Sequence, residues 1–450
     1  MADITQNDSK TIGIDGTIPL PPRRRWLRRI TLILLFLVTA AAGIRVWWGH
    51  FANQRVAAFL ADAKARGEPS SPADLQSPPI PQEKNGAILV AQAAHQFHLS
   101  EAQYRFLQKN SLWLDVPFRQ QPAWQKILAD FASSLNLVRR SRSRPLLHSI
   151  HEVDRDVEHD SSRDAGLADI LSRLASQEWQ AGNFDASIDH ILDIVQIGRA
   201  MRADAQLHDM FWESLNVDAS GVQATVQFAQ PGKTQLDLIA RNTDAYRKTI
   251  RDFIALLSEE HELRHAFETT CYSEGLRDIR RAGFNSESIE SQWMMDELLE
   301  PSVRLDAVRS ARRHFALARL ANEPDLSFDS GLSTLPPRDE KQGPNLRSWL
   351  ITDERMGPWP EGMLATYCRY LAYRRIGAVV MALHLFAVDH QGILPKKLDE
   401  LVPTYLPAIP DDPSETGYQS FQYVLGATGR ATVYCPIYRI YIPVGNWQSK

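Results

Sequence analysis

The chain is poor in cysteine: Cys271, Cys368 and Cys435 are all that 450 residues supply, and no two are close enough to form a CxxC pair. That removes thiolate zinc ribbons and dithiol redox motifs from consideration. A disulfide-stapled scaffold is excluded as well, and the count leaves open either one bond, Cys368 to Cys435, or buried reduced thiols. No GxSxG, P-loop or GxGxxG-type loop occurs, so acyl transfer, nucleotide and dinucleotide chemistry lack their signatures. Basic charge is missing from most of the chain. Residues 1–29 hold six Lys/Arg and three Asp/Glu, which leaves 44 basic against 51 acidic groups, a balance that argues against a nucleic-acid-binding body. Apolar residues at 44% and charged residues at 23% are ordinary globular values, so wholesale disorder is excluded too.

Long hydrophobic runs are scarce, and the one near the N-terminus therefore stands out: Ile30 to Trp48, ITLILLFLVTAAAGIRVWW, directly after Arg23, Arg24, Arg25, Arg28 and Arg29. Its uninterrupted part, Ile30 to Ile44, spans about 22 Å, short of a hydrocarbon core of about 30 Å. Arg45 can snorkel toward headgroups, and Val46, Trp47 and Trp48 then extend the run with an interfacial aromatic pair, which makes it long enough to cross. The rival reading is a cleaved signal peptide with Ala40-Ala41-Ala42 as its small-residue site. No polar break comes after those alanines, which favours an uncleaved anchor. In either case the positive-inside rule keeps the arginines in the cytoplasm and exports the chain beyond the apolar run. The expected location is the cell inner (plasma) membrane, with the N-terminus cytoplasmic and the bulk of the chain extracytoplasmic.

Along the chain, residues 1–29 read as a cytoplasmic basic tail, polar and without fixed structure through residue 22, and 30–48 as a transmembrane helix. Residues 49–86 read as a juxtamembrane helix through Phe51, Val56, Phe59 and Leu60, stopped at Gly67, then a Pro-rich tether holding the body off the bilayer. From 87 to 321 nearly every segment repeats its apolar residues at the helical period, which predicts an all-helical domain. Ile188, Ile191, Leu192 and Val195 line one such face, with Asp189 and Asp193 opposite, and Phe253, Leu256 and Leu257 begin a helical stretch that runs to Phe267. Residues 322–362, rich in Pro, Gly, Asp and Ser, read as a linker or surface connection. Residues 363–450 read as a long helix, Met363 to His390 with Gly392 as its C-cap, and then a small cap with strands around Phe421–Leu425, Ala431–Tyr434 and Ile437–Ile442.

Two stretches carry resemblances. Leu174 to Ile197, with Gly182-Asn183-Phe184-Asp185 at its turn, resembles one hairpin of a tetratricopeptide repeat, and no second copy is present at the expected spacing, so it implies a hairpin and not a solenoid. In the C-terminal part, Gly392, Pro395, Leu398, Leu401, Val402, Pro403, Tyr405, Leu406, Pro407, Pro410, Asp412 and Pro413 come after a long helix. This pattern, about residues 376–425, resembles the C-terminal region of type II secretion major pseudopilins and of single-pass bacterial envelope proteins of unknown function. Leu394 stands where that pattern usually has Tyr. The resemblance implies a small α+β cap, with Pro395 at the first turn of a short helix. It does not imply a pilin, because RRITLILLFL lacks the Gly and Glu that a prepilin peptidase requires.

One motif has a named mechanism. His261-Glu262-Leu263-Arg264-His265 is an HExxH, in which two imidazoles one turn apart bind zinc and the carboxylate acts as general base. Glu268, Glu274, Glu287 and Glu290 are available as a third ligand, but Glu259, Glu260 and Arg264 give the helix the look of a solvated face. A second cluster, HSIHEVDRDVEHD, gathers His148, His151, Glu152, Asp154, Asp156, Glu158, His159 and Asp160, yet it lacks the Gly and Glu of a calcium loop and reads as a solvated polar segment.

The expected protein is mainly α: a transmembrane helix, a helical-hairpin body and a small C-terminal α+β cap with a short antiparallel sheet. The expected role is a membrane-anchored scaffold or protein-interaction module, with lipid bound through 30–48, protein partners outside the cytoplasm, no nucleic acid and no cofactor. The alternative is a membrane-tethered zinc hydrolase on His261, His265 and Glu262.

Overall fold

The computed structural model describes residues 22–75, 81–109, 121–144, 161–203, 208–228, 239, 243–283, 293–323, 326–336, 360–414, 421–427 and 429–445. The helices in chain order are α1 (Pro22–Ala65), α2 (Gly86–Gln96), α3 (Glu101–Lys109), α4 (Pro122–Ser141), α5 (Ser161–Ala181), α6 (Phe184–Ala203), α7 (His208–Phe228), α8 (Thr243–Ser258), α9 (His261–Gly283), α10 (Trp293–Leu320), α11 (Phe328–Thr334) and α12 (Pro360–Asp389). A three-stranded antiparallel sheet closes the chain, β1 (Gln422–Leu425), β2 (Ala431–Cys435) and β3 (Ile440–Val444), in that spatial order. The chain is mainly α with a small C-terminal sheet, as its apolar periodicity requires. The polar tail through residue 21 lies outside the described residues.

Local chemistry sets the boundaries. Asn85 caps α2 by accepting the Ala87 N–H at 3.0 Å. Gly182, at φ +81°, ends α5 in the left-handed conformation that favours glycine. There the Gly182 N–H donates to Trp179 O at 2.9 Å and the Asn183 N–H to Glu178 O at 2.8 Å. Phe184 then wedges between the two helices, its ring 4.4 Å from that of Trp179. In the sheet, the first two strands begin and end within a residue of their expected bounds. The third starts at Ile440 instead of Ile437, because 436–439 form the turn, closed by the Arg439 N–H on Pro436 O at 3.2 Å.

Apolar side chains gather in three clusters, and α12 joins two of them. One cluster lies among α2, α3, α4, α5 and α6, around Trp124, Phe97 and Phe131. A second holds the far end of α1 together with α9, α10 and the first half of α12, through Met363 to Leu371. The third holds α5, α6, α8, the sheet and the rest of α12, Ala372 to Ala387. From Ile376 to Ala387 every residue is buried, so this helix has no polar side to turn to water. Its mean hydropathy of 1.5 would suit a membrane span, but 83% of its most apolar stretch is inside the protein, which makes it a core helix. The cap therefore shares its core with the helical body.

Two connecting segments are built in more firmly than their composition suggests. Within 322–362, read as a surface connection, α11 is capped by Ser327 and Ser330, and Leu326 and Leu335 are buried. Gly331 lies so close to α12 that a Cβ there would meet Leu364 Cδ2 at 2.6 Å. Within 49–86, α1 stops at Gly67 (φ +75°) as expected, and residues 68–75 after it are held against the body as a strap. Glu68 pairs with Arg319 of α10 at 2.8 Å, the Asp74 carboxylate accepts the N–H groups of Ser70 and Ser71, and Leu75 packs on the second cluster.

Candidate functional site

The helical period predicts one helix from Phe253 to Phe267; the structure has two, and the break is held by arginines from α12. Arg374, 5% exposed, donates to Leu256 O at 2.6 Å, Glu259 O at 3.1 Å and Leu257 O at 3.3 Å. Leu256 and Leu257 belong to the last turn of α8, where Leu256 O also accepts the Glu259 N–H at 3.3 Å, and a cation there meets the negative pole of the helix. Glu260 sits in the gap and accepts Arg375 at 2.6 and 2.9 Å and Arg264 at 2.9 Å. Burial alone would raise this carboxyl, but the guanidiniums of Arg375 and Arg264 hold it below its ordinary value. Arg375 reaches on to Asp411 O at 3.0 Å, and Arg264 to Glu323 O at 2.7 Å. Of the supposed solvated face, only Glu259 is open to water, while Glu260 and Arg264 are largely covered.

The HExxH opens α9 directly after this junction. His261 and Glu262 are exposed, and the His265 side chain is 69% exposed. Glu262 is bound by Arg199 of α6, with Nε at 2.6 Å, and a carboxylate shared with a guanidinium is a poor base. The Glu268 carboxylate, 3.8 Å from His265 Nδ1, raises that imidazole above its ordinary value, which opposes the deprotonation a metal ligand needs. Glu274 is buried and pairs with Arg277 at 2.8 Å. Glu287, Glu290 and the His148–Asp160 segment lie outside the described residues. Among the described residues, no three His, Cys, Asp or Glu side chains are grouped to hold a metal ion. The three thiols are free and buried; burial pushes Cys368 up to about 12 and Cys435 up to about 11, so neither is a nucleophile near neutral pH.

Among the described residues, two apolar surfaces stand out. The first is the N-terminal half of α1, which is long and apolar enough to cross a membrane: its most apolar stretch has mean hydropathy 2.1, and none of it is buried. The second is the outer face of the cap sheet. Register sets Gln422, Tyr434 and Tyr441 in one row and Val424, Thr432 and Pro443 in the next. The two tyrosine rings stack at 5.7 Å, Tyr441 is 58% exposed and Val424 53%. β1 is an edge strand of this sheet.

The Arg374–Arg375–Glu260 junction escapes sequence reasoning, although one signal was present. Two adjacent arginines in the middle of a long apolar helix must each find a partner if that helix is a core element. Comparisons of this chain with protein-family models, with curated proteins and with solved structures found no match.

Proposed function

We propose that the chain is a single-pass membrane protein with a cytoplasmic N-terminus, whose helical body and cap lie outside the cytoplasm and act as a scaffold or protein-interaction module without enzyme activity. The observation that carries this reading is the bare apolar half of α1, attached to a body that buries its other apolar helices. A rod of exposed Leu, Ile and Phe about 28 Å long, from Ile30 to Trp48, matches a hydrocarbon core and nothing else in a cell so well. Arginines before it and a mildly acidic chain after it support the orientation. For the protein partner, the outer face of the cap is the surface we favour. Its Tyr434–Tyr441 pair beside Val424 and Pro443 has the rigid aromatic character of interface centres.

A reporter joined after Lys450 tests the orientation: export-dependent enzymes are active there and a cytosolic fluorophore is dark, and the reverse result overturns the topology. A photo-crosslinker at Tyr441 in native membranes gives one discrete protein adduct, absent when the crosslinker sits at Lys248 of α8. No adduct at any position of the outer face would remove the partner from the reading. Metal analysis separates the scaffold from a zinc hydrolase, which requires stoichiometric zinc that is lost in His261→Ala.

A further inference from the structure

Between its apolar span and the part that docks on the body, α1 carries charge of one sign only. From Pro22 to Ala61 the chain holds no Asp or Glu, while Arg45 and Arg55 stand on either side of Trp47, Trp48 and Phe51. Trp48, Ala52, Phe59 and Ala63, buried or half-buried, mark the side of the helix turned to the body. Trp47, Phe51 and Arg55 lie on another side and follow one another at steps of four, so each stands one turn above the last. Trp47 is 67% exposed, and its ring stacks on that of Phe51 at 6.0 Å. The Arg55 guanidinium then lies over the Phe51 ring at 5.0 Å, a cation on the negative face of an aromatic.

What Arg55 lacks is an anion. It is exposed, and among the described residues no carboxylate pairs with it. Arg66, just past the end of α1 and about 16 Å further along, makes the contrast: Asp62 and Glu68 both grip it, Glu68 at 2.9 Å.

Position supplies the missing partner. The apolar run ends at Trp48, which puts Phe51 about 4.5 Å past the hydrocarbon edge at 1.5 Å per residue. The interfacial zone of one leaflet, where lipid phosphates lie, is about 5–8 Å deep. The Arg55 backbone, about 10 Å past the edge, is beyond that zone. Helical side chains lean toward the N-terminus, however, which here is toward the bilayer, and the contact with Phe51 shows this one folded back. The charge is thus held near the depth of the Phe51 ring, within reach of a phosphate, and Trp47 is an amphipathic ring of the kind that favours this boundary.

We propose that Trp47, Phe51 and Arg55 form a headgroup site for an anionic phospholipid in the leaflet opposite the five N-terminal arginines. The guanidinium donates to the lipid phosphate, and the two rings lie against the glycerol and the upper acyl chain. The inference rests on the anchor reading of residues 30–48. Charge complementarity and continuity with the span both select lipid as the occupant. A zwitterionic headgroup carries its own cation beside the phosphate, so Arg55 gains most from a lipid that has none.

The test uses the full chain in phosphatidylcholine vesicles, with a fluorophore on a single introduced cysteine; the three native thiols are buried. One labelled site is Gln54, exposed beside Arg55, and the other is Leu35 in the span. A small share of lipid carries a nitroxide quencher high on its acyl chain, attached either to phosphatidylglycerol or to phosphatidylcholine; a quencher near the chain end serves Leu35. At Gln54 the phosphatidylglycerol quencher should be about fivefold more effective than its phosphatidylcholine twin, the enrichment that one cation near a lipid surface commands. Arg55→Gln should bring the ratio close to one, and Arg55→Lys should keep most of it. A ratio near one in the wild type, or one that survives Arg55→Gln, overturns the headgroup site, and quenching at Leu35 then leaves the anchor standing. No quenching at Leu35 overturns the anchor, and the inference with it.

Discussion

Glu260 shows how much a single side chain can decide. It lies where two helices meet, 13% exposed, and three arginines of two other turns of chain converge on it and on the carbonyls beside it. Replacing Arg375 with Met leaves a buried carboxylate with Arg264 alone and frees the Asp411 carbonyl, a loss of about 1.5–3 kcal/mol, the range for hydrogen bonds to a charged group. The lowered carboxyl sets the sign of the pH dependence. Stability from a depressed acid is complete above the unfolded-state value near 4.5 and drains as pH falls through the folded value. Urea melts of the wild type and Arg375→Met are therefore furthest apart near neutral pH and converge as pH falls through the lowered folded-state value. A gap that stays constant with pH would mean that Arg375 contributes packing and not charge.

At the scale of elements, the docking of α1 is the least expected feature. Phe59 is 4% exposed against Phe315, and Phe315 is stacked edge-on with Tyr272 at 4.8 Å. Gly275 allows this approach, since a Cβ there would come within 3.0 Å of the Phe315 ring. Phe59→Ala opens a cavity between α1 and α10 and costs about 3–5 kcal/mol locally. The loss shows as faster proteolysis between Gly67 and Leu75, with α2 to α8 as resistant as before; unchanged cleavage there would deny that Phe59 holds the strap. Which of these elements could be read in advance obeys a physical rule. Starts and stops written in neighbouring residues were legible: Gly67, the Gly182 turn, and the strand from Ala431 to Tyr434. What depends on a distant segment was not. Asp193 stands opposite its own helix's apolar stripe, as the period says, yet it is 2% exposed because α4 covers that side and offers Arg139 at 2.6 Å. Glu260, Arg374 and the strap share that origin, because a helix's own spacing tells which side is polar and is silent on what comes to meet it.

For the whole molecule, the division that matters runs through the middle of α1, between a half that the body needs and a half that it does not touch. No side chain from Thr31 to Val38 is covered, whereas Phe59 and Ala63 are buried in a core that also includes α9, α10 and α12. A chain beginning at Gly49 keeps the whole of that core. It should purify without detergent and melt close to the temperature of the full chain, because no described residue among those removed is fully buried and only a few, such as Arg45 and Trp48, are half-covered. Sedimentation and a thermal melt of the detergent-free protein read both outcomes. Aggregation of the shortened chain, or a melting temperature lowered by many degrees, would mean that residues 22–48 belong to the fold, and the case for a membrane-spanning segment would lose its footing.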